Sequence, residues 1–188
     1  MKGNLKDRDY YLNEVMKDID VVCFGVDPGI NGGIAAITIK NQEAGLFIEE
    51  STEVMRFPKD LQDAWEFLID SFASANDASI YVEHVHSFPG QGVASTFTFG
   101  RNLGQWEGLI SASGCPINFV SPQKWMGFYE TKKGLTRKER KRYLRGIAED
   151  LFPNVKMTFN ISDALLIANY CKEMYLERRI KEIRGKKS

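Results

Sequence analysis

The chain has 188 residues, 43% hydrophobic and 27% charged, a balance that suits one globular domain with a sizeable core. No apolar run reaches the roughly 18 residues of a membrane span, and the first twenty residues lack a signal-peptide core, so a soluble cytoplasmic protein is expected. The formal net charge of +0 hides an asymmetry: residues 1–123 hold 8 basic against 17 acidic side chains, 124–145 hold 9 against 2, and 172–188 hold 7 against 3.

In chain order, residues 10–19 (YYLNEVMKDI) set Tyr11, Leu12, Val15, Met16 and Ile19 on one stripe, an amphipathic lead-in helix. VVCFGVD (21–27) is a strongly apolar strand. GGIAAITIK (32–40) and GLFIEESTEV (45–54) follow closely enough for an antiparallel meander. Pro58 opens a helix reaching about Ala75, with Leu61, Trp65, Leu68, Ile69 and Phe72 inward. SIYVEHV is a fourth strand, SFPGQG a loop, and 94–113 a helix. INFVS is a short fifth strand, and Pro122 starts a turn. LTRKERKRYLRGIAEDLF is a basic helix capped by Thr136. A last helix runs from Asn160 to about Ile183.

This order predicts an α/β fold: a five-stranded mixed sheet, three strands antiparallel plus two parallel, flanked by helices. It predicts a single domain over 1–188, with an N-terminal helical extension (1–19) and a basic C-terminal tail (172–188). The extension either pads the sheet, the favoured reading, or extends a dimer contact. The tail end, RRIKEIRGKKS, is either a nonspecific clamp or disordered. Cys23, Cys115 and Cys171 have no metal-knuckle or redox spacing and read as small buried residues.

Three acids abut apolar segments. Asp27 closes the first strand, Glu83 ends the fourth, and Asp163 opens the last helix. Each has a local explanation: Asp27 bonding its own Asp-Pro-Gly turn, Glu83 as a surface acid, Asp163 at a helix dipole. In the predicted topology, however, the first and fourth strands are parallel neighbours, so Asp27 and Glu83 leave the same sheet end, and the last helix can bring Asp163 over them. Three like charges then need a cation, and hard oxygen donors suit Mg²⁺ or Mn²⁺. Two such ions are the usual device for in-line attack at a phosphodiester.

GVDPGINGGIA, YVEHVHSFPGQGVASTFTFGRNLGQWEGLI, VSPQKWMGFY and SDALLIANY, in that order, resemble the RuvC family of Holliday junction resolvases, phage type, within the RNase H-like superfamily. The resemblance covers about residues 20–170. It implies an RNase H-like fold and a metal-dependent endonuclease that cuts junctions or other branched DNA hydrolytically. It also implies a homodimer, Mg²⁺ or Mn²⁺ (two ions), and a host-cell cytoplasm if the chain is phage-encoded. Asp27, Glu83 and Asp163 match three of the family's four metal-binding acids. The fourth position is Asn160, an amide that can ligate without adding charge or can simply cap the helix.

For DNA contact, the loop after Glu83 is the first candidate. The family carries an aromatic there; His86 falls nearest, with Phe88 two residues on, a base-stacking residue or a loop anchor. His84 and His86 either touch phosphate or are structural. Lys124, Lys132, Lys133, Arg137, Lys138 and Lys141 belong to the basic stretch. Arg137, Lys141 and Arg145 share one helical stripe. Such a helix can bind phosphates with strong salt dependence, or be merely solvated. Trp125, Phe128 and Tyr129 read as core. Gly100, Gly104 and Gly108 permit close approach of another helix or of DNA. The rival readings are an RNA–DNA hybrid nuclease of this fold and a non-catalytic branched-DNA binder.

Overall fold

A computed structural model describes residues 5–42, 47–57, 60–84 and 92–186. The elements are α1 (Leu5–Met16), β1 (Asp20–Asp27), β2 (Gly33–Gln42), β3 (Phe47–Arg56), α2 (Leu61–Phe72), β4 (Asp77–Glu83), α3 (Val93–Ala112), β5 (Ile117–Val120), α4 (Pro122–Phe128), α5 (Arg137–Leu151) and α6 (Phe159–Lys186). The sheet order is β3-β2-β1-β4-β5. β1, β2 and β3 pair antiparallel, while β1·β4 and β4·β5 are parallel, as the element order predicts.

The central position of β1 explains its apolar run. Val21 to Val26 are covered on both faces, so alternation gives way to continuous hydrophobicity. On one face Val22, Phe24 and Val26 pack with Ala64 and Leu68 of α2 and Trp106 and Ile110 of α3. On the other, Val21 and Cys23 pack with α6 and with Leu144 and Ala148 of α5. α1 lies on that second face beside α6, through Val15 and through Arg8, whose Nε donates to Glu177 Oε1 at 2.9 Å. The N-terminal extension thus packs against α6.

Gly25 fixes the approach of α6. A Cβ there would overlap the backbone of Ala164 and Ala168, so only glycine lets the α6 main chain lie directly on β1. Tyr129 adds a tie, its hydroxyl donating to Leu166 O at 2.6 Å and accepting from Asn169 Nδ2 at 3.1 Å.

Several expectations are corrected. α1 begins at Leu5, earlier than the stripe predicts. α2 starts at Leu61 because Asp60 caps it, accepting from Gln62 N at 3.0 Å; Pro58 lies outside the described residues. Leu61 and Ile69, expected inward, are exposed, since Ala64 supplies the close contact and rotates the helix. Phe128 is likewise exposed, whereas Trp125 and Tyr129 are core. Through Lys186 the basic tail is no disordered segment but the continuation of α6. Thr136 caps α5 in a full capping box with Glu139, as predicted.

Gly25→Ala is expected to lower stability by about 1–3 kcal/mol, the usual range for overpacking. Thermal melting of the variant checks this; an unchanged melting temperature would contradict the contact.

Candidate functional site

The site is built by register. Val26 sits opposite Val82 in the parallel β1·β4 pair, so the next residues, Asp27 and Glu83, leave the sheet side by side at one end. Cys23 and Tyr81, on the same alternation as these two acids, face α6; Tyr81 meets Tyr170 edge to face at 5.5 Å. Asp163 directly precedes Ala164, one of the residues resting on Gly25, so it stands over that rim.

Each acid is held locally. The turn Asp27-Pro28-Gly29 closes with Gly29 N donating to Asp27 Oδ1 at 2.9 Å. Gly32 must be glycine, since a Cβ would come within 2.6 Å of Asp27 Cγ. Glu83 is oriented from the neighbouring edge strand, β5. Its backbone pairs with Val120 of β5; Ser121 then caps α4 and Pro122 opens it, which returns Trp125 to the rim. Trp125 Nε1 donates to Glu83 Oε1 at 2.9 Å.

The three acids feel one another. Burial, then the charge of Asp27, pushes Glu83 up to about 7, with Asp163 adding to the effect and the Trp125 N–H opposing it. Burial and then Asp27 push Asp163 up to about 6. Burial raises Asp27, opposed by the Gly29 N–H. Lys141 of α5 lowers all three, and Arg140 also favours the charged form of Asp163. Lys141, expected only as an outward phosphate contact, is therefore half-buried and aimed at the carboxylates.

Asn160 lies three residues before Asp163 on the same α6 face, inside the helix and past the capping position. Its side chain makes no hydrogen bond among the described residues, so the capping role fails. Among the described residues no three His, Cys, Asp or Glu side chains stand close enough to hold one ion together. The Gly29 and Trp125 hydrogen bonds keep Asp27 and Glu83 turned to their own supports.

The remaining predicted residues divide. Lys124, Lys132, Lys133, Arg137 and Lys138 are exposed. His84 is exposed, its ring 5.3 Å from Phe119. His86 and Phe88 lie outside the described residues. Gly100, Gly104 and Gly108 face open space, with no part of the described chain near a Cβ built on them. Sequence reasoning missed Trp125 as a partner of Glu83. The available signal was an indole four residues after a capping Ser-Pro, at a strand end adjoining the acid. It also missed Phe159, an exposed aromatic four residues before Asp163.

The fold matches solved structures. Thermus thermophilus RuvC aligns at TM-score 0.50 and 16% identity, covering 87% of this chain and 96% of that one. The fold is that of RuvC. The yeast mitochondrial Holliday junction resolvase Ydc2 aligns at TM-score 0.43 and 14% identity over 98% of this chain and 91% of that one. The fowlpox virus resolvase, solved with Holliday junction DNA, aligns at 0.42 and 13% over 81% and 99%. The lower scores of these two add no weight. No protein-family model and no curated protein sequence matches the chain. No helix among the described residues is long and apolar enough to cross a membrane.

A carboxyl whose folded pKa is raised binds its proton more tightly in the folded state. Its contribution is complete below the unfolded value and is lost as pH rises through the folded one. For Glu83 that window is 4.5 to about 7, and for Asp163 it is 3.8 to about 6. Stability measured without divalent ions is expected to fall across this range, and Glu83→Gln to flatten the fall between pH 5 and 7. An unaltered slope in that variant would contradict the co-burial.

Proposed function

We propose that this chain is a metal-dependent endonuclease that hydrolyses phosphodiesters in branched DNA, four-way junctions above all, as a homodimer. The observation that carries the reading is the co-burial of Asp27, Glu83 and Asp163 at one sheet rim, beside a basic helix. The four motifs in their order, on this fold, support the same chemistry; the fold alone does not choose it.

The donor set fits a hard divalent cation. The three acids offer oxygen donors, Asp27 raises both Glu83 and Asp163, and each acid is half-buried, so a cation relieves a real repulsion. Asp27, Glu83 and Asp163 would hold the metal, with the Asn160 amide oxygen as a neutral fourth donor. Two bound Mg²⁺ or Mn²⁺ ions would supply activation of water and stabilisation of the leaving oxygen. The chain's own residues do the rest. Trp125 fixes one oxygen of Glu83 and leaves the other for a ligand. Lys141 offsets charge that the missing fourth acid would otherwise have increased. Lys124, Lys132, Lys133, Arg137 and Lys138 present an exposed basic surface to phosphates, with strong salt dependence.

One observation favours a second reading, non-catalytic binding of branched DNA. With Asn160 in place of an acid and no close ligand triad, the site holds less charge than four carboxylates would.

The discriminating experiment offers labelled four-way junction, flap, duplex and RNA–DNA hybrid with and without Mg²⁺ or Mn²⁺. Metal-dependent cleavage preferring the junction is expected. Asp27→Asn, Glu83→Gln and Asp163→Asn should each reduce it on the order of 100-fold or more, since even outer-sphere changes cost 10–100-fold. Binding without cleavage under any metal would leave the second reading. Asn160→Asp is expected to tighten metal binding, read as a lower metal concentration for half-maximal cleavage.

A further inference from the structure

Phe159 has no place in the core. It is the first residue of α6 and 43% exposed, although its neighbours Met157 and Ile161 are buried. It precedes Asp163 by four residues, one helical turn, and so lies on the carboxylate's face of α6. It also adjoins Asn160.

The ring is held from α5. The Arg145 guanidinium sits 4.8 Å from its centroid and is itself steadied by Glu149, with Nε to Oε1 at 2.8 Å. Arg145 is one turn beyond Lys141, the lysine aimed at the three carboxylates. One stripe of α5 therefore serves two adjacent points: Lys141 at the acids and Arg145 at the ring. A cation over an exposed aromatic face, one turn from a cluster of phosphodiester-cutting type, matches how nucleic-acid proteins prepare a base-stacking surface.

We propose that Phe159, backed by Arg145, stacks on an unpaired nucleobase next to the phosphate presented to the rim of Asp27, Glu83 and Asp163. The occupant is a base with its π-face free, as at a junction or a flap, and not a stacked base pair. Phe159 is thus a positioning residue: it fixes the register of the strand over the carboxylates and favours branched over fully paired DNA. This inference rests on the branched-DNA reading above and deepens it.

The test uses the full chain carrying Asp27→Asn, which keeps the DNA uncut. The probe is a four-way junction with 2-aminopurine at the nucleotides flanking the crossover, whose fluorescence falls on stacking. The parent and Phe159→Tyr should both quench it. Phe159→Leu, apolar but without a π-face, should not quench it, and should bind the junction about fivefold or more weakly while binding paired duplex unchanged. Thermal melting confirms that the variants fold, and the Tyr rescue separates stacking from mere packing. If Phe159→Leu binds and quenches as the parent does, the inference is overturned while the nuclease reading stands. If the parent binds no branched DNA at all, the functional reading falls and this inference falls with it.

Discussion

The constraint on which this molecule turns is the crowding of three carboxylates at a half-buried rim. Each loses hydration there, and the charge of Asp27 raises the cost of ionising both Glu83 and Asp163. Glu83 is pushed up to about 7, by burial first and then by the charges of Asp27 and Asp163. A fold that only had to be stable would place apolar or uncharged residues at these positions. Here the repulsion is retained and only partly offset, by Lys141 and Arg140, the Ser162 side chain and the Gly29 and Trp125 N–H donors.

The rest of the architecture serves to hold that arrangement. Gly25 removes the side chain that would keep α6 off β1, which sets the height of Asp163 above Asp27. The parallel β1·β4 register aligns Asp27 with Glu83. The short β5, followed at once by a Ser-capped helix with proline at its start, brings the Trp125 indole to Glu83. These supports are main-chain packing and neutral hydrogen bonds, so they fix the acids without neutralising them. The remaining charge is then available to a cation.

Charge is divided along the chain to match. The strands and first helices are acidic in sum, while residues 124–145 are strongly basic. α5 carries that basic block to the same rim as the acids. Leu144 and Ala148 anchor its inner face, and the capping box fixes where the helix starts. Lys141 is consequently half-buried toward the carboxylates while Arg137 and Lys138 remain exposed. A polyanion drawn to the outer residues would be led to the rim without a net positive charge on the chain.

By itself the sequence determined the antiparallel trio with two parallel strands added, the parallel placement of β1 beside β4, and which three acids, Asp27, Glu83 and Asp163, abut apolar segments. These follow from hydrophobic runs, from gap lengths too short for a crossover between the first three strands, and from acids abutting apolar segments. Pattern also identified the Thr136 cap and the Arg137–Lys141–Arg145 stripe, because both are set within two or three helical turns. Only the tertiary structure decided that Trp125 supports Glu83, that Lys141 faces inward, that Asn160 is past the cap, and that Leu61, Ile69 and Phe128 are exposed. Each depends on the rotation of one helix against a neighbour distant in sequence. Helical periodicity identifies a face, but the contact that wins it is fixed only when the chain is packed.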